Sequence, residues 1–94
     1  MSVVIVGGNE RMVCQYETIC RELGHTAKVF AKEKGGWKKQ MGTPDLVVLF
    51  TSTVSHKMVN NALQEARRNR IPVTRVRSSS ASALKTVLAT YQMG

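Results

Sequence analysis

Two uninterrupted apolar stretches, Val3-Val4-Ile5-Val6 and Leu46-Val47-Val48-Leu49-Phe50, constrain this chain more than any other feature of its sequence. A strand with one face in water alternates apolar and polar residues, whereas a strand covered on both faces is apolar throughout. Both stretches are too short for a buried helix and are closed by turn residues, Gly7-Gly8-Asn9 after the first and Thr51-Ser52-Thr53 after the second. They read as the two central strands of a parallel sheet. Two mixed runs, residues 27–30 and 71–76, read as its edges, and Pro72 sits near the start of the last run, where a missing ladder donor is tolerated.

Helical spacing fills the gaps between these runs. Met12, Tyr16, Ile19, Cys20 and Leu23 form one stripe, stopped by Gly24; Val59, Ala62, Leu63 and Ala66 form a second. Leu84, Val87, Leu88 and Tyr91 form a third behind a serine-rich start. Strands alternating with helices predict an α/β fold with helices on both faces of a parallel four-stranded sheet. Right-handed crossovers, with the apolar runs at the centre, predict the strand order 2-1-3-4. Without repeats or linkers, residues 1–94 are expected to form a single domain.

One connection is short. Residues 31–45, rich in Lys and Gly around Gly35-Gly36-Trp37, leave room for a turn or two over residues 37–41, where a parallel crossover normally carries a full helix. One sheet face is therefore expected to be thinly covered, and a homodimer is expected to complete it.

Charge narrows the partners. Fourteen Lys and Arg against six Asp and Glu give a formal net charge of +8, which favours anionic ligands: nucleic acid, nucleotides or other phosphate esters. No apolar run approaches the ~18–20 residues of a spanning helix, so no membrane partner is expected. The N-terminal residues show no basic region and no cleavage site of a signal peptide, and two cysteines make no disulfide framework; a reduced, cytoplasmic protein is the expectation.

Ligands of open parallel sheets bind beyond the carboxyl ends of the strands, where strand order reverses. For order 2-1-3-4 the loops there hold Gly7, Gly8 and Asn9 after the first strand and Thr51, Ser52, Thr53, Ser55 and His56 after the third. Arg77, Ser78, Ser79, Ser80 and Ser82 follow the fourth. Glycines admit close approach, hydroxyls donate, and helix N-termini carry free N–H groups and partial positive charge, a set suited to phosphate. Arg11, Lys32 and Arg77 would add charge, and His56 would hydrogen-bond the ligand or hold a proton. Ser55 and Ser80 or Ser82 equally suit plain helix caps, and Gly7-Gly8 a plain turn.

Several chemistries find no support in the sequence. No G-x-x-x-x-G-K-[ST] loop or dinucleotide glycine spacing occurs, and Lys32 stands where an acidic ribose ligand would be wanted, so no cofactor is expected. Cys14 and Cys20 are about 240° apart around a helix and cannot easily share a metal ion; Cys20 reads as core and His25 as a surface turn residue. A Ser–His pair lacks an orienting carboxylate, since the only aspartate, Asp45, precedes the third strand at the opposite end of the sheet.

Four segments, Gly7-Gly8, residues 32–36, 51–56 and 75–80, together resemble a bacterial family known as a domain of unknown function. The resemblance implies a Rossmann-like fold and a single site built from these loops. Where some relatives carry Asp and Cys in the third segment, this chain has Ser52 and Thr53, a departure that weighs against a metal- or haem-type role. The expected function is binding of a phosphorylated small molecule or nucleotide, without catalysis. Nucleic-acid binding is the alternative, through Lys28, Lys32, Lys34, Lys38 and Lys39 around Trp37 and through Arg67, Arg68, Arg70, Arg75 and Arg77. A phosphoester-acting enzyme using His56 stands third.

Overall fold

A computed structural model describes residues 1–31 and 41–92, the last two as backbone. Strands β1 (Ser2–Val6), β2 (Thr26–Phe30), β3 (Leu46–Phe50) and β4 (Val73–Val76) form one all-parallel sheet in the order β2-β1-β3-β4. Among the described residues, helices α1 (Val13–Glu22), α2 (His56–Arg68) and α3 (Ala81–Gln92) pack on it in a small Rossmann-like α/β fold. A single 3-10 turn, Glu10–Met12, leads into α1, and the Asn9 side chain caps it by accepting from the Arg11 N–H at 3.0 Å.

The apolar runs act as their patterning requires. Along β1 and β3, successive side chains point to opposite faces. Val3, Ile5, Leu46, Val48 and Phe50 meet Tyr16, Ile19 and Cys20 of α1 and Leu84 and Leu88 of α3. Val4, Val6, Val47 and Leu49 meet Met58, Ala62 and Ala66 of α2, together with Met41. Each fully buried Val, Leu or Ile contributes roughly 1.5–3 kcal/mol relative to exposure, so the two central strands anchor both cores. The edge strands are only partly buried, as their mixed composition predicts.

Register is pinned at the amino ends of the strands. The Ser2 N–H donates to an Asp45 carboxylate oxygen, and the Asp45 N–H donates to the Ser2 carbonyl, both at 2.7 Å. Asp45 thus sits at the amino ends, as expected. β4 starts later than the sequence suggests: Ile71 lies in the turn from α2, and Pro72 stays outside the strand while its carbonyl accepts the Val47 N–H at 3.0 Å. The proline ring denies a donor but leaves the acceptor, so the ladder gains one bond beyond the strand's end.

Two helices end in the same way. After α1, Gly24 at φ 83° donates to the Arg21 carbonyl and His25 donates to that of Cys20. After α2, Arg70 at φ 56° donates to the Arg67 carbonyl and Ile71 to that of Ala66. Both are Schellman endings, with glycine in the left-handed position of one and arginine in the other.

The thinly covered face is not found among the described residues. Val4, Val6, Val47 and Leu49 are buried and pack against α2 and Met41. The turn expected over residues 37–41 lies outside the described residues except for Met41, as do Trp37, Lys32 and the other lysines around them. The same holds for the Tyr91 side chain. No helix of the described residues is long and apolar enough to cross a membrane.

Candidate functional site

The loops after β1, β3 and β4 lie at the carboxyl ends of the strands and are fastened to one another. The Gly8 N–H donates to Thr53 Oγ1 at 2.7 Å, and that hydroxyl donates to the Phe50 carbonyl at 3.1 Å. The Ser52 hydroxyl donates to the Arg77 carbonyl at 2.5 Å, and the Thr51 N–H to the Val76 carbonyl at 2.9 Å. These bonds join the first loop to the third and the third to the fourth.

Tyr16 joins the first loop to the fourth. Its ring is fully buried against Phe50, with ring centroids 5.3 Å apart. Its hydroxyl donates to the Ser79 carbonyl at 2.6 Å and accepts the Asn9 N–H at 3.4 Å. The sequence assigned Tyr16 to a core stripe and missed this bridge. The available signal was chemical: a tyrosine in an otherwise apolar stripe brings a hydroxyl that must find a partner when buried.

Both glycines are needed for close packing. Gly7 has φ 97°, and a Cβ there would press into the Val54 methyl and lie 3.1 Å from the Phe50 carbonyl oxygen. Gly8 has φ 89°, and its Cβ would lie 2.7 Å from the Tyr16 ring. Their amides are committed within the protein, Gly7 to the Phe30 carbonyl and Gly8 to Thr53.

The remaining candidates divide by role. Ser55 caps α2 by accepting the Met58 N–H at 3.2 Å, and Ser80 caps α3 by accepting the Ala83 N–H at 3.2 Å. Ser78 accepts the Ser80 N–H at 3.3 Å. His56 opens α2 with its ring exposed, and Arg77 and Ser82 are exposed at the ends of β4 and α3. Arg11 is exposed on the 3-10 turn that follows the first loop. Lys32 lies outside the described residues.

Residues set aside by sequence also find their places. Cys20 is fully buried, and that burial, with the Glu17 carboxylate nearby, pushes its thiol up to about 11, while Cys14 is exposed. His25 is more enclosed than a surface turn residue: its Nδ1 lies 3.0 Å from the Met1 amino group, and its Nε2 is buried without a partner. Desolvation and then the neighbouring ammonium lower its pKa. A depression of about 340 Å³ lined by Glu17, Arg21, His25, Thr26 and Ala27 lies on the α1–β2 seam, at the far end of the strands from the loop cluster. Among the described residues, no group of three or more His, Cys, Asp or Glu side chains could hold a metal ion.

A parallel sheet in reversed order, with three loops bonded together where the order reverses, defines a small Rossmann-like protein whose candidate site is made by loops. The chain belongs to the family described as an uncharacterized protein conserved in bacteria (DUF2325), which it matches over residues 2–91. A comparison with curated proteins finds no match.

Proposed function

We propose that this protein binds a phosphorylated small molecule or nucleotide at the carboxyl ends of its strands, as a sensor or binding module without catalysis. The observation that carries this reading is the bonded cluster of three loops. It holds exposed hydroxyls of Thr51, Ser78 and Ser82, the Arg77 guanidinium and the His56 ring near the starts of two helices, α2 and α3. Helix starts favour anions through their free N–H groups and dipole. With the Gly7 and Gly8 amides already bonded, the donors left to a ligand come from the loops after β3 and β4. Asp45, at the opposite end of the sheet, cannot orient His56 as a base, which favours binding over hydrolysis. A ligand held across two copies of the chain is one form of this reading.

Thermal denaturation with millimolar phosphate, sulfate and a panel of mono-, di- and cyclic nucleotides tests it. A ligand at about 100 times its Kd adds about 2.7 kcal/mol to stability, which moves the melting temperature by several degrees. A flat response to the whole panel overturns the proposal. Sedimentation with and without the active compound reads the oligomeric state.

A further inference from the structure

We infer that the β4 side of the molecule is a docking surface for the phosphate backbone of double-stranded nucleic acid, separate from the strand-end loops. The inference starts from how the fold distributes charge. Residues 46–94 carry seven Lys and Arg against a single carboxylate, Glu65. Among the described residues 1–31 and 41–45, three cations stand beside four carboxylates. Because the sheet order is β2-β1-β3-β4, this division along the chain becomes a division in space: residues 46–92 build β3, α2, β4 and α3. Among the described residues, the positive charge gathers on the side whose edge strand is β4.

Four arginines outside the strand-end loops line that side, and all are exposed. Arg67 and Arg68 close α2, Arg70 stands in the turn, and Arg75 lies on β4. Val73 packs under α2, so Arg75, two residues on, points to the same face of the sheet. Glu65 meets Arg68 at 4.0 Å in a partly exposed pair that neutralises little. Arg70 holds its charge in a left-handed position that glycine would occupy without strain.

The chemistry of the surface selects among polyanions. Guanidinium groups pair with phosphate through two parallel N–H bonds, and arginine dominates lysine on this side. A lipid surface would call for apolar side chains to insert, and a protein partner for an apolar centre. Met1 is the one large apolar side chain exposed among the described residues, and it lies in the other half. No Phe, Trp or Tyr lies between residues 51 and 90, so this surface lacks the stacking platform that single strands use. Backbone contact to a duplex, without reading its bases, is what remains.

Fluorescence polarisation of a labelled 20-base-pair DNA duplex, titrated from 50 to 200 mM salt, tests the inference. Four phosphate contacts give a slope of log K against log salt of about −3.6. R67Q/R68Q/R75Q keeps its melting temperature and makes that slope shallower by about 0.9 for each lost contact, while R21Q, on the other half, changes neither slope nor affinity. Phosphate and nucleotide responses in the thermal assay are unchanged in R67Q/R68Q/R75Q, which separates this surface from the strand-end site. The inference is overturned by no duplex binding at 50 mM salt, by equal binding of wild type and R67Q/R68Q/R75Q, or by tighter binding to a single strand or to anionic phosphatidylserine vesicles.

Discussion

Gly24 and Arg70 occupy the same place in two helix endings, and the comparison isolates what a side chain costs there. A left-handed conformation is unfavourable for a residue with a Cβ by about 1–2 kcal/mol, and the greater freedom of glycine in the unfolded chain offsets part of that. Arg70→Gly is therefore expected to stabilise the protein by roughly 0.5–1 kcal/mol, read from the denaturant midpoint. An unchanged or lower midpoint would contradict the strain argument. At the start of the same helix, Ser55→Ala removes the cap to the Met58 N–H and is expected to cost about 1 kcal/mol. His56 is exposed, so His56→Ala should melt with the wild type. If it also loses the response to an active nucleotide, the ring belongs to the site; a melt as low as that of Ser55→Ala makes it scaffold.

Among the elements, the central strands were legible because burial on both faces demands unbroken apolar sequence. Gly24 announced the end of α1, whereas the end of α2 carried no such sign, since Arg70 does glycine's work. The start of β4 was misplaced for a related reason: Ile71 and Pro72 read as apolar strand residues, yet the Schellman ending commits the Ile71 N–H to Ala66. Of the site, the sequence placed the three loops correctly at one end of the sheet but could not show how they are joined. That depends on Tyr16, whose contact with Ser79 spans 63 residues. Tyr16→Phe is expected to cost roughly 1–2 kcal/mol, because the Ser79 carbonyl loses its partner in a half-buried place. Gly8→Ala should cost more, about 2–4 kcal/mol, since it adds a left-handed Cβ to a collision with the Tyr16 ring. Chemical denaturation of both variants checks the order, and a Gly8→Ala protein more stable than Tyr16→Phe would refute it.

At the scale of the molecule, net charge was legible from composition, but its concentration on one side required the strand order that converts sequence halves into spatial halves. The face that the short connection suggested was bare packs, among the described residues, against α2 and Met41. Stability should also depend on pH in a defined alkaline window. The Cys20 thiol rises from an ordinary 9.0 to about 11 in the folded protein, so the unfolded chain releases this proton first. Its contribution is complete below about pH 9 and is lost as pH rises towards 11. On the acid side, the lowered His25 pKa acts in the opposite sense: its contribution is complete above 6.5 and is lost as pH falls through the folded value. Melting temperatures across this range, with Cys20→Ala and His25→Gln as references, should show each slope vanish in its own variant. A slope that persists in Cys20→Ala assigns the alkaline loss to other groups.

The placement of two thiols on one helix, Cys14 in water and Cys20 sealed against the sheet, has a kinetic consequence. A thiol reagent modifies Cys14 at the rate of an open peptide, but it reaches Cys20 only in the brief intervals when α1 lifts away. The ratio of the two rates counts how often that happens, and so measures the free energy of a local opening under fully native conditions. A bound nucleotide that tightens the bridge from Tyr16 to Ser79 would slow the second thiol and leave the first untouched. The chain thus carries an internal clock for the motion of the helix that ties its loops together.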